Sequence, residues 1–367
     1  MLKENKSNIK NGAGEAPLFA AANSGRGFVS FYEDIFNTPS IIRRYLIKGG
    51  PGTGKSSFMR RVASEAEDRG FAVEYYRCSS DASSLDGIII DGKIAVIDST
   101  APHVVEPELV GARDIILDFG AFWDTERLFY ERERIEALTA RKKMAYAMAY
   151  RFLSAAIESD LASRELLIGY VNRKRLAKMA KKLLRDIPSG EGYSLKIGLT
   201  DSIGMQGRRS LDGYAARAAR TVYIEEHYGI AFLLLCELCN LAKDRENAIS
   251  VSYDPLNPDI PNAVYFERER VLFTVYKGHK GSAVSLRRLL DASALPKRER
   301  NEIRAKSRLA HRISEALIDS AVDELKRAGE AHLALEKIYG SAMDFSALDA
   351  LYDRVSEGIL KIVEHRE

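Results

Sequence analysis

Cysteine is scarce in this chain: Cys78, Cys236 and Cys239 are the only three in 367 residues. Three thiols exclude a disulfide-stapled secreted scaffold. Long hydrophobic runs are missing too; the densest, from Ile230 to Cys236, is far shorter than the roughly 20 residues that cross a bilayer. No apolar stretch follows Met1-Leu2-Lys3-Glu4-Asn5-Lys6, so the expectation is a cytoplasmic protein with no membrane association. Charge of one sign is also lacking. With 55 Lys and Arg against 52 Asp and Glu, the net charge of +3 gives no global field for nucleic acid, and any such role must come from local patches.

What is present is ordinary globular composition, 46% apolar and 29% charged, in a length that predicts about two domains. Residues 1–17 are polar and contain Asn11-Gly12-Ala13-Gly14, which predicts a flexible tail. Tyr45-Leu46-Ile47, a glycine cluster, and a helical pattern over 56–69 closed by Gly70 spell strand, loop, helix. Further strands are predicted at 71–76, 87–90 and 94–97. Strands alternating with helices predict an α/β fold with a mostly parallel sheet flanked by helices. Between Trp123 and Ile187, Gly and Pro nearly vanish, which predicts long helices with a hairpin near 158–163.

Pro188-Ser189-Gly190-Glu191-Gly192 breaks that pattern and sets a boundary between a domain over 18–189 and a second over 190–367. The order then repeats: a strand at 221–224, a helix at 231–242, strands at 248–253 and 271–275, and helices from Leu286 onward. Sliding the first half by 177 positions sets Ile47 on Ile224, Phe58 on Leu235, Val62 on Cys239 and Val96 on Phe273, with a one-residue shift for the second strand. This predicts an internal duplication.

Gly49-Gly50-Pro51-Gly52-Thr53-Gly54-Lys55-Ser56 fits G-x-x-x-x-G-K-[ST] between a strand and a helix, the context a phosphate-binding P-loop requires. Glycines let such a loop wrap a polyphosphate with amides pointing inward, and the helix N-terminus adds free N–H donors. Residues Gly50, Pro51, Gly52, Thr53, Gly54, Lys55, Ser56 and Ser57 are thus assigned to ATP, with Lys55 on the β and γ oxygens and the Ser56 hydroxyl on Mg²⁺. Asp98 ends an apolar strand, where a carboxylate holding the Mg²⁺ water shell is needed. Ser99 follows it in place of the glutamate that orients water in many hydrolytic relatives, which points to slow hydrolysis. Thr100 and His103 leave the sheet beside the nucleotide, as γ-phosphate or acceptor contacts or as plain loop residues. Ser79, Ser80, Asp81 and Asp86 stand at the same sheet edge, as acceptor contacts or as turn chemistry.

The segments Ile47 to Ser57, Val73 to Asp81, Ser84 to Gly87, Asp98 to His103, and the helical stretch His332 to Phe345 together resemble a poorly characterised bacterial family of tandem P-loop ATPase-like proteins. The resemblance covers nearly the whole chain. It implies two tandem P-loop NTPase-like domains, each with a long helical segment, and ATP binding; it implies no substrate. One departure stands out. The second half reads Glu225-Glu226-His227-Tyr228-Gly229-Ile230-Ala231 where relatives tend to repeat the loop, and Val275 replaces the equivalent of Asp98. Two carboxylates repel a polyphosphate, so this half is expected to be degenerate.

Two weaker features remain. Cys236-Glu237-Leu238-Cys239 is a lone C-x-x-C with no second pair for zinc, so it reads as helix packing. Residues 173–185 carry seven Lys and Arg around Leu176, Met179, Leu183 and Leu184, a solvated helix face or a docking face for a protein or nucleic-acid partner. The functional expectation is a slow Mg-ATP-dependent ATPase or phosphotransferase with Lys55, Asp98 and His103 at one working site. The alternative is a regulatory ATP-binding module that recruits a partner.

Overall fold

The computed structural model describes residues 16–226, 229–276, 283–290 and 297–364. The tail expected over 1–17 lies almost entirely outside these. The first half of the chain runs β1 (Leu18–Phe19), β2 (Ala21–Ser24), β3 (Gly27–Ser30), α1 (Tyr32–Phe36), β4 (Arg43–Lys48), α2 (Lys55–Asp68), β5 (Val73–Arg77), β6 (Leu85–Ile90), β7 (Ile94–Asp98), β8 (Asp114–Asp118), α3 (Thr125–Tyr130), α4 (Arg132–Ile168) and α5 (Arg173–Leu183). The second runs β9 (Ser194–Ile197), β10 (Asp201–Gly204), β11 (Gly207–Ser210), α6 (Gly213–Arg217), β12 (Arg220–Glu225), α7 (Ala231–Asp244), β13 (Ala248–Tyr253), β14 (Pro261–Phe266), β15 (Val271–Tyr276), α8 (Lys297–Ser341) and α9 (Phe345–Glu364). Among the described residues no helix is long and apolar enough to cross a membrane.

The fold is α/β, but the sheets are mixed, which corrects the expectation of a mostly parallel arrangement. In the order β1-β5-β6-β7-β4-β8, β6 runs antiparallel to both neighbours. The reason is local. Asp91 and Gly92, both with positive φ, close a tight turn between β6 and β7, which leaves no residues for a crossover helix. The second sheet has the order β12-β15-β14-β13-β9 with the same alternation. The helical hairpin expected near 158–163 is absent: α4 runs unbroken to Ile168.

The repeat is visible in register. Ile47 pairs with Asp98 and Ile224 with Val275, an offset of 177. Val73 pairs with Ile90 and Ile249 with Phe266, an offset of 176. The helices already follow 176: Phe58, Met59, Val62 and Ala66 are buried in α2, and Leu234, Leu235, Leu238 and Ala242 in α7. The matches of Phe58 with Leu235 and Val62 with Cys239 are therefore each one residue off. The missing residue lies in the loop before the helix, six residues over 49–54 but five over 226–230.

The halves meet across a pseudo-twofold. Phe19 and Leu199 exchange both backbone hydrogen bonds, at 2.8 and 2.9 Å. The Gly25 amide donates to the Leu256 carbonyl and the Met205 amide to the Ser80 carbonyl, each at 2.9 Å, as in an isologous dimer contained in one chain. Packing also crosses the boundary expected at 189. Leu176, Ala180 and Leu184 from α5 and the segment after it join the core of the second sheet, while Leu348, Tyr352, Ile359 and Leu360 from α9 join that of the first. Between them α4 and α8 lie antiparallel, joined by Ala149, Leu153, Ile318 and Leu325 and by a 2.7 Å contact between the Ser163 and Ser307 hydroxyls.

One ion pair fixes the edge of the first sheet. Arg44 in β4 donates Nε and Nη2 to the Asp114 carboxylate at 2.7 and 2.9 Å, both side chains are fully buried, and the Glu108 and Leu109 amides donate to the same group. The Arg44 and Arg113 guanidiniums hold the Asp114 carboxyl far below the usual carboxylate range. Its contribution is therefore complete at neutral pH and is lost only as pH falls below the unfolded value of about 3.9 toward the folded one. Replacing Asp114→Ala strands a buried guanidinium and lowers unfolding free energy by about 3–5 kcal/mol, measured by denaturant titration at pH 7. A loss under about 1 kcal/mol would contradict the assignment.

Candidate functional site

β4 ends in the sheet interior and α2 begins above it, joined by the glycine-rich loop over 49–54. Gly52 and Gly54 have φ of +70° and +81°, a region that side chains with a Cβ rarely occupy. The loop ties itself together through its carbonyls: Thr53 Oγ1 donates to the Gly50 carbonyl at 2.9 Å, and Lys55 Nζ donates to the same oxygen at 2.7 Å and to that of Gly49 at 3.3 Å. Its donors face the other way. Among the described residues, the amides of residues 52–57 donate no hydrogen bond within the chain. The result is a run of unspent N–H groups at a helix N-terminus with a lysine folded beside it, a combination suited to an anion.

Asp98 closes the site from the neighbouring strand. Its Oδ2 lies 3.6 Å from Lys55 Nζ, and Oδ1 accepts from the Thr100 amide at 3.0 Å and the Thr100 hydroxyl at 2.6 Å. Ser56 Oγ accepts the Leu85 amide proton at 3.1 Å, which leaves the hydroxyl a second lone pair. An oxygen donor from Ser56 and a carboxylate at Asp98 suit Mg²⁺, which takes few protein ligands and keeps its waters. Ser99 is spent elsewhere: its buried hydroxyl donates to the Val105 carbonyl and accepts the Val105 amide, at 2.7 and 3.0 Å, pinning the loop after β7.

The second half forms a wall of this site. A Cβ at Gly52 would collide with the Glu336 carbonyl of α8, and one at Gly50 would lie 3.0 Å from Trp123 and 3.6 Å from Tyr339. Phe345 and Leu348 cover Gly54. Lys142 of α4 also approaches. Burial and the nearby charges of Lys55 and Lys143 push its ammonium below the usual lysine value, with Glu336 opposing them. Two lysine charges thus act on each other near the unpaired amides, with Asp98 and Glu336 as the neighbouring acids. Lys142 has no motif around it to distinguish it from Arg141 and Lys143; only the packing of α4 selects it.

Other expected residues fall elsewhere. His103 is buried, stacked on Tyr32 at 4.8 Å and edge-on to Phe28 at 4.7 Å, with Nε2 3.6 Å from Asp86 Oδ2. Ser80 and Asp81 serve the contact between halves, the Ser80 carbonyl accepting from the Met205 amide and Asp81 from Gln206, while Ser80 Oγ accepts from Asn23 and Tyr146 within the first half. Cys236 and Cys239 are half-buried free thiols on α7 that burial pushes up, Cys239 to about 12, in keeping with packing. α5 turns Leu176 and Ala180 inward and leaves its lysines outward.

The loop of the second half differs in kind. Gly229 keeps a positive φ of 74°, the equivalent of Gly52, but Arg164 of α4 packs directly on it, with a Cβ there 2.8 Å from Arg164 Cγ. That guanidinium pairs with Asp160 at 2.6 Å, and Glu225 pairs with Arg287 at 3.3 Å. Val275 stands opposite Ile224 as Asp98 stands opposite Ile47. His227 and Tyr228 lie outside the described residues. Compared with protein-family models, curated proteins and solved structures, the chain has no significant match in any of the three.

Proposed function

We propose that this protein binds Mg-ATP at a single site made by residues 50–57, Lys55, Asp98 and Lys142, and acts as a slow ATPase or phosphotransferase. The observation that carries this reading is the row of amides over 52–57 that donate to nothing within the chain, set beside Lys55, with the Lys142 charge near enough to act on that of Lys55. Ser56 and Asp98 would hold Mg²⁺, which would supply positive charge to offset that of the polyphosphate. On an incoming polyphosphate, Lys55 exchanges its bonds to the Gly49 and Gly50 carbonyls for phosphate oxygens, and its 3.6 Å neighbour Asp98 becomes available to the metal's water shell. Ser56 stays anchored to the Leu85 amide and presents its second lone pair.

Ser99 favours the regulatory reading as a second possibility. Its hydroxyl is committed to Val105, and no carboxylate stands beside Asp98 in sequence to orient a water, so turnover without a partner is low. The outward basic face of α5 is the surface on which a protein or nucleic-acid partner would act in that case.

Calorimetry with Mg-ATP tests the site: Lys55→Ala loses a charge-assisted contact and weakens binding roughly ten- to hundredfold. Unchanged affinity in this variant would overturn the assignment. Lys142→Ala weakens both ATP and inorganic tripolyphosphate about three- to tenfold, because a half-buried ammonium whose charge reaches Lys55 acts on phosphate charge and not on the base. Equal affinities for wild type and variant would remove Lys142 from the site. Unstimulated hydrolysis stays below about 1 s⁻¹, and Asp98→Asn lowers it further while reducing the Mg²⁺ requirement. Turnover of many per second would exclude the slow-site reading.

A further inference from the structure

Behind the loop lies a second group of converging side chains. Cys78 follows β5, Asp86 sits at the start of β6 and His103 in the loop after β7, so all three stand at the sheet edge where β4 enters the glycine-rich loop. One donor atom from each, thiol sulfur, carboxylate oxygen and imidazole nitrogen, falls within 4.8 Å of the others. Asp86 and His103 are at least nine-tenths buried, and His103 cannot swing freely between the Tyr32 and Phe28 rings. The Tyr32 hydroxyl and the Cys78 thiol both bear on the Asp86 carboxylate, and His103 Nδ1 is buried without a hydrogen-bond partner. A carboxylate, a thiol and an imidazole buried this close together carry a desolvation cost that a bound cation would offset.

We propose that Cys78, Asp86 and His103 bind a divalent transition metal ion of the zinc type, separate from the nucleotide's Mg²⁺. Sulfur, nitrogen and oxygen donors together suit zinc-type ions, whereas Mg²⁺ asks for six oxygens. The spacing agrees. With metal–ligand bonds of about 2.0–2.3 Å in tetrahedral array, donor atoms stand roughly 3.4–3.6 Å apart, and His103 Nε2 and Asp86 Oδ2 are already at 3.6 Å. The Cys78 sulfur lies within 4.8 Å of both, a gap that a side-chain rotation can close. Binding exchanges one proton for the ion: the Cys78 thiol loses its hydrogen to solvent as the sulfur–metal bond forms, while His103 coordinates through neutral Nε2 and keeps its proton on Nδ1. The ion would tie three strand ends together one residue from Leu85, whose amide holds Ser56.

The test uses the full chain, stripped of metal by a chelator, kept reduced, and titrated with Co²⁺ as a spectroscopic probe. A thiolate-to-cobalt charge-transfer band is expected to grow and saturate at one ion per chain, to be displaced by Zn²⁺, and to be indifferent to excess Mg²⁺. Because the chain has three cysteines, Cys236→Ser with Cys239→Ser leaves Cys78 as the only thiol, and this double variant keeps the band. His103→Asn and Asp86→Asn weaken the ion at least about tenfold, and Cys78→Ser abolishes the band. The double variant decides even if Cys78→Ser does not fold. No band in wild type, or a band lost with Cys236 and Cys239, would overturn the proposal. Neither outcome depends on ATP, so the reading of the nucleotide site stands or falls separately.

Discussion

Everything at the site depends on how six residues join the end of β4 to the first turn of α2 without using their own amides. Gly52 and Gly54 take left-handed φ so the chain can curl around a point outside itself, and the carbonyls of Gly49 and Gly50 turn inward to hold Thr53 and Lys55. Backbone donors at a helix start are costly to bury unmatched. Here they are gathered beside two lysines at a sheet edge, with Asp98 at the end of the adjacent strand. The loop of the second half is one residue shorter and has no lysine in sequence, and among its described residues Gly229 is covered by Arg164.

The duplication gives that second half a reason to exist. Long helices α4 and α8 cross to the opposite loops, so Arg164 covers Gly229 and the last turns of α8 cover Gly52. α5 and α9 complete the opposite cores. Each half is therefore built partly from the other's sequence, and a substitution in α8 or α9 reaches the first loop directly. Glu336 and Tyr339 lie against the glycine-rich loop although nearly 300 residues of chain separate them from Gly50. The second half thus supplies a wall against which the glycine-rich loop of the first is packed.

Much of this was legible in sequence where the signal is local. The loop motif, the strand before it, the apolar run ending in Asp98, and the repeat of strand, helix and strands are all set by neighbours in the chain. Asp91-Gly92 also carried a hairpin signal; read as part of an alternating α/β pattern, it was passed over, and the sheet direction was missed with it. β8 was missed because Asp114 to Asp118 is short and has a charged residue at each end, Asp114 being buried only through Arg44. The exchange of α5 and α9 left no local trace, since an amphipathic helix does not say which sheet it covers. For the same reason Lys142 and the cluster around His103 emerge only from packing, and the place of the one-residue gap follows from the buried positions of α7 and not from the apolar pattern alone.

The central claim is that one loop of the two takes the nucleotide. Equilibrium dialysis of the intact chain against labelled ATP with saturating Mg²⁺ measures this without assuming turnover or a partner. The account predicts a plateau at one ATP per chain; two equivalent ATP molecules per chain, or none, would contradict it.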